Sequence, residues 1–205
     1  MTTPRDLLIV VVDMDSRRPV ERGDLSLALA GAEAVDLLTG EDITLADQRI
    51  IPGIERAMPD MLLDEAVSAL HREAPYEPIG EWLWRRGRGL SEAYLATMEA
   101  EGLLTRQRRR HWMFLRDNGF ALADSAARRT ALARWAADEP VLAALAEAIG
   151  LRDPQPADDS PSAADDSVAA VLDAVGDAVS ELSAERQRRA RRLQEAAADN
   201  VQRGY

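Results

Sequence analysis

The residues able to do chemistry in this chain are chiefly arginines set among aromatics. Trp82, Trp84, Arg85, Arg86 and Arg88 form one run, and Arg106, Arg108, Arg109 and Arg110 lead into Trp112, Met113 and Phe114 as a second. Between residues 82 and 116 there are eight Arg against three Glu, a local charge of +5. Guanidinium forks fit phosphate oxygens, of lipid and of nucleic acid alike, and Trp places its ring at headgroup level in a membrane interface. Two buried Trp with a solvated Arg rim would give the same pattern.

Catalytic chemistry finds little to work with. The absence of Cys excludes disulfides, thiolate catalysis and Cys-ligated zinc. All 25 basic residues are Arg, so neither a Schiff-base lysine nor a phosphate-loop lysine exists. His71 and His111 are the two imidazoles; neither stands in a recognisable motif, and both read as structural. No dinucleotide-binding, phosphate-loop, nucleophile-elbow or zinc-protease pattern occurs. The chain is expected not to be an enzyme and to need no cofactor. Arg without Lys, beside an excess of Ala and Asp, points to the coding bias of a GC-rich bacterial genome.

Helices must position most of these residues, because Ala and Leu are abundant and aromatics few. Residues 7–13, LLIVVVD, read as either a buried strand or a first helical turn. Asp6 and Asp13 bracket an apolar run too short for a signal peptide or a membrane span, so a soluble, cytoplasmic protein is expected. A helix is predicted from Asp24 as N-cap, with Leu25, Leu29, Ala32, Val35 and Leu38 as its stripe and Gly40 as its stop. A small hairpin then turns around Ala46 and Asp47. Met61, Leu62, Ala66, Ala69 and Leu70 mark the next helix, residues 79–86 a short one, and Ser91 opens another that Gly102 closes.

Asp117-Asn118-Gly119 is a strong turn signal. It predicts a hairpin over 104–120, with Trp112 and Phe114 buried against helix 91–102 and Arg108 and Arg110 in solvent. Two amphipathic helices follow at 125–137 and 140–149. Residues 151–167 are rich in Pro, Ser and Asp and read as a disordered loop. A last helix buries Val168, Val171, Leu172, Val175, Val179 and Leu182, while its second half, with Arg186, Arg188, Arg189, Arg191 and Arg192, is solvated or partner-bound. From 151 to 185 nine acids face one Arg, −8 of the total −11, so overall acidity leaves room for a basic face elsewhere. The organisation read from this is a mainly α domain with short β-hairpins and winged-helix-like elements over 1–150. An acidic loop at 151–167 and a helix at 168–205 complete it and project from it.

Four stretches, RDLLIVVVDMDSRRPV, LSLALAGAEAVDLLTGEDITL, MLLDEAVSALHRE and LATMEAEGLLTRQRRRHWMF, follow one another in an order and spacing that resembles the Golgi phosphoprotein 3 family, in the form common in GC-rich actinobacteria. The resemblance spans about residues 7 to 150. It implies a mostly helical, non-catalytic domain; eukaryotic relatives bind phosphatidylinositol 4-phosphate on the Golgi surface and act as adaptors for membrane enzymes. The family's pocket Trp falls on Glu21, with Arg22 beside it, and its pocket Arg falls on Ala30. Its two further basic positions fall on Arg88 and Ser91, so Arg88 alone keeps its type, with Trp82, Trp84, Arg85 and Arg86 near it as substitutes.

The reading that results is a peripheral adaptor at the inner face of the membrane. It binds anionic lipid headgroups in general, phosphatidylinositol 4-phosphate included, rather than one phosphoinositide. Arg22, Trp82, Trp84, Arg85, Arg86, Arg88, Arg108, Arg109 and Arg110 are its binding residues. A protein client and an oligomer are compatible with it. Two other readings stay open: a winged-helix-like DNA-binding module, and a protein-interaction scaffold held through the C-terminal helix. Against DNA stands the helix at 91–101, which carries three Glu and no base.

Overall fold

The computed structural model describes residues 2–14, 19–54, 56–108, 118–153 and 166–203, with the side chains of 107, 108, 118, 119 and 198–203 outside the description. Two central helices organise the fold. The first, α1 (Thr3–Met14), buries residues all round, from Thr3 and Pro4 through Leu7, Leu8, Ile9, Val10 and Val11. The LLIVVVD run is therefore helix, apolar on every face because other elements surround it. The second, α2 (Arg22–Thr39), is buried from Asp24 to Val35. Its N-cap is Glu21 rather than Asp24, which lies in the first turn and pairs with Arg186. Gly40 ends the helix as expected, its N–H returning to the Asp36 carbonyl and that of Glu41 to the Leu38 carbonyl.

A two-stranded hairpin follows, β1 (Ile43–Ala46) with β2 (Arg49–Pro52), antiparallel and in register Ala46 to Arg49. Asp47 and Gln48 both take positive φ, +49° and +60°, the twist that a two-residue hairpin turn requires. Next, α3 (Met61–Ser68) is capped by Asp60, whose carboxylate accepts the Leu62 and Leu63 amides. Met61 belongs to its first turn but is exposed, contrary to its place in the predicted stripe. The short α4 (Ile79–Arg86) has the bounds that the sequence suggested.

Leu90 rather than Ser91 begins α5 (Leu90–Ala100), after Gly89 at φ +70°. The second hairpin pairs β3 (Leu104–Arg108) with β4 (Asn118–Leu122). Here the turn expectation fails, because Asn118 faces Arg108 and Gly119 faces Gln107 as rungs of the ladder. Trp112, Phe114, Arg109 and Arg110 lie outside the described residues, as does His111. The C-terminal half is α6 (Ala126–Ala136), α7 (Pro140–Ala148) and the 38-residue α8 (Asp166–Arg203).

The fold is mainly α, with eight helices and two small hairpins among the described residues. Leu151 is buried, so the segment expected to be a loop starts inside the core; residues 154–165 lie outside the described residues. At about 1.5 Å per residue α8 is roughly 57 Å long. Its first half packs on α2, α4 and α7 through Val168, Val171, Val175, Ala178 and Val179. Beyond Arg186 its residues are exposed through Ala197, with Leu193 left 66% accessible.

Candidate anion-binding pocket

Residues two apart on a helix point about 200° from one another, and α4 uses this to separate its two Trp. Trp82 is wholly buried and Trp84 half-buried at the rim. Trp82 is thus a core side chain and no ligand contact, contrary to the expectation.

The arginines of α4 are likewise engaged. Arg85 donates through Nε and Nη2 to Glu77 at 2.7 and 2.6 Å, and through Nη2 to the Ala69 carbonyl at 3.0 Å. Arg86 donates to both oxygens of Glu33, Nε to Oε2 at 2.8 Å and Nη2 to Oε1 at 2.9 Å, and to the Leu62 carbonyl at 2.7 Å. Tyr94 Oη donates to Glu33 Oε1 at 3.0 Å. Burial pushes the Glu33 carboxyl upward, opposed by Arg86, and pushes the Tyr94 phenol upward as well. Arg85 and Arg86 therefore clamp α4 onto its neighbours, their charges matched by Glu77 and Glu33 rather than held out on a shared basic face.

Arg88 is different. It stands between Gly87 and Gly89, where α4 hands over to α5 and the chain passes tightly beside α2. A Cβ on Gly87 would lie 2.7 Å from the Leu83 carbonyl and 3.4 Å from that of Ser26, and the left-handed φ of Gly89 suits a residue without Cβ. Arg88 is exposed and lines a pocket of about 400 Å³ together with Arg22, Trp84, Ser26, Glu92 and Leu182. The N-termini of α2 and α5 both reach this pocket; neither N-cap residue supplies a side-chain cap, although the Ser91 amide of α5 is taken by Ser26 Oγ. Their positive dipole ends add to the two guanidinium groups.

The floor joins α2 to α5. Ser26 Oγ donates to Ser91 Oγ at 2.9 Å, the Ser91 amide donates to Ser26 Oγ at 3.1 Å, and Ser91 Oγ donates to Glu92 Oε2 at 2.9 Å. Glu92 Oε1 lies 3.6 Å from Arg22 Nη1. Behind Trp84 runs a second groove, also about 400 Å³, lined by Glu81, Asp173, Asp177 and Glu181. Trp84 thus divides a basic pocket from an acidic groove.

Of the residues singled out from sequence, Arg22, Trp84 and Arg88 meet in one place. Among the positions carried over from the family pocket, Ala30 is buried in the middle of α2 and Ser91 is fully buried in the floor. Glu21 is exposed as the α2 N-cap. Arg108 ends β3, its side chain outside the description, and Arg109 and Arg110 lie outside altogether. His71 is exposed, its Nδ1 3.6 Å from Glu77 Oε2.

Ser26, Gly23, Glu92 and Leu182 were not legible as pocket residues. The one local sign was Gly87-Arg88-Gly89, a cation on a segment pressed against another backbone. Among the described residues no helix is long and apolar enough to cross a membrane. No curated protein matches the chain. Residues 4–203, nearly its whole length, match the model of Golgi phosphoprotein 3 (GPP34), and the chain belongs to that family.

Proposed function

We propose that the chain is a non-catalytic adaptor that sits reversibly on the inner face of a membrane and holds an anionic lipid headgroup between Arg22 and Arg88. Family membership supports the Golgi phosphoprotein 3-like adaptor role. The observation that carries the lipid reading is the convergence of two exposed arginines, from α2 and from the α4–α5 junction, on one pocket walled by Trp84. Arginine forks bind phosphate oxygens, the uncapped N-terminus of α2 favours an anion, and a half-buried Trp suits the headgroup layer. The acidic groove that shares Trp84 would repel an anionic surface, so attachment through the basic pocket must keep that groove off the membrane.

Flotation with phosphatidylcholine vesicles, with and without an anionic lipid and at two salt concentrations, tests this. Binding should require the anionic lipid, weaken with salt, and fall when Arg22 and Arg88 are both changed to Gln. Retention of full binding by that double variant would refute the pocket. A DNA shift assay run alongside should show nothing, since α5 and its C-cap carry Glu92, Glu99 and Glu101.

A further inference from the structure

Glu92 is an odd residue to find in the wall of an anion pocket, and it is not loosely placed there. Ser26 and Ser91 are both buried, and their hydroxyls form a one-way relay. Ser26 Oγ donates to Ser91 Oγ at 2.9 Å, and Ser91 Oγ donates to Glu92 Oε2 at 2.9 Å. The Ser91 amide donates to Ser26 Oγ at 3.1 Å and sets the direction of the chain. A buried relay whose donors all point outward ends on an acceptor, and it holds the carboxylate at one place in the wall. The other oxygen, Oε1, lies 3.6 Å from Arg22, beyond hydrogen-bond distance, and Glu92 keeps about half its surface open. The pocket therefore offers two guanidinium groups and one fixed carboxylate acceptor.

We infer that this pocket selects a phosphodiester headgroup that also carries a hydrogen-bond donor, a hydroxyl or an ammonium, and disfavours a bare phosphomonoester. This rests on the headgroup reading above. A phosphodiester carries one negative charge, which Arg22 and Arg88 accommodate, and its polar end donates to Glu92. A phosphomonoester brings additional charge beside the Glu92 carboxylate and offers it no lasting donor, and an unmatched like charge is an effective way to reject a ligand.

The test uses the full chain and phosphatidylcholine vesicles carrying equal mole fractions of phosphatidylglycerol or phosphatidic acid, with a third set in which phosphatidylethanolamine is added to the phosphatidylglycerol vesicles so that every vesicle is anionic. The hydroxyl and ammonium arms separate the two kinds of donor. Phosphatidylglycerol, alone or with phosphatidylethanolamine, should be bound about tenfold more tightly than phosphatidic acid, the size of effect given by one hydrogen bond to a charged group. Glu92→Gln should erase most of that ratio by strengthening phosphatidic acid, and because the vesicles are unchanged, surface charge cancels from the comparison. If phosphatidic acid is bound at least as well by the wild type, and Glu92→Gln raises all arms equally, the selectivity is refuted while the headgroup pocket stands. If no vesicle is bound, both fall. A thermal melt of Glu92→Gln matching the wild type shows that the fold is intact.

Discussion

Arg86 grips both carboxylate oxygens of Glu33 across the α4–α2 contact, at 2.8 and 2.9 Å, and Glu33 is wholly buried. Tyr94 and the Leu62 carbonyl complete the set, so each group of the pair has a partner. Removing one member of such a pair strands the other charge in the core. Arg86→Ala is expected to cost about 3–5 kcal/mol, whereas Arg88→Ala, two residues on and exposed, should stay within about 0.5 kcal/mol. Urea unfolding of the two variants checks the contrast; equal effects would remove the distinction between clamp and pocket.

That contrast also marks how far the sequence could be read. Trp82, Trp84, Arg85, Arg86 and Arg88 look alike as a basic aromatic run, and composition gives no means of sorting them. Sorting depends on Glu33 and Glu77, which lie 53 and 8 residues from their arginines and are met only through tertiary packing. Helix bounds with strong punctuation, such as Pro78 before α4 and Ser125 before α6, were legible. Asp24 misled because a carboxylate in a first turn resembles a cap, while tertiary packing gives it to Arg186. Asn118-Gly119 misled for a similar reason: a favoured turn dipeptide was overridden by the strand register. In α1 an apolar run without a polar face carries no period, so helix and strand were indistinguishable.

Asp36 gives a pH-dependent expectation. Burial raises its carboxyl above the usual range, opposed by the Thr3 amide, which donates to Oδ2 at 2.8 Å. A raised folded pKa means that the folded state binds its proton at a higher pH than the unfolded chain does. Stability from this group is therefore fully present on the acid side and lost as pH rises through the folded value. Asp36→Asn keeps an acceptor for Thr3 and removes the titration. The variant should melt at or above the wild type near neutral pH, and the advantage should shrink toward about pH 4. A variant less stable than wild type at neutral pH would mean that the ionised carboxylate is stabilising.

Arg108, at the end of β3, and Arg109 and Arg110, which follow it in sequence, are expected to add to membrane attachment without making the site. Reversing Arg108, Arg109 and Arg110 together removes charges each worth about 1 kcal/mol near an anionic surface. Binding to anionic vesicles should weaken, less so at high salt, with little change in melting temperature. Reversing Arg22 and Arg88 should instead abolish headgroup dependence. If the triple variant unfolds, those arginines are structural and do not belong to a membrane face.

Two glycines on α2 separate the docking of α8 from the shape of the pocket. A Cβ on Gly31 would lie 2.3 Å from Val175 Cγ2 and 3.6 Å from Leu145 Cδ2, in a fully buried seam. Val is branched at Cβ and stiff about χ1, so α8 itself must move. Gly31→Ala should cost about 1–3 kcal/mol from overpacking, even though Ala gains about 1 kcal/mol over Gly in a helix. A Cβ on Gly23 would lie 2.8 Å from Leu182 Cδ2, the end of a half-buried side chain that can change rotamer. Gly23→Ala should therefore leave stability near that of the wild type. Leu182 lines the pocket beside Arg22 and Arg88, so its displacement should alter vesicle binding. Paired unfolding and flotation measurements on the two variants check this. A Gly31→Ala protein as stable as wild type would show that α8 yields easily along its length, and the close α2–α8 seam would then not be what fixes the pocket wall.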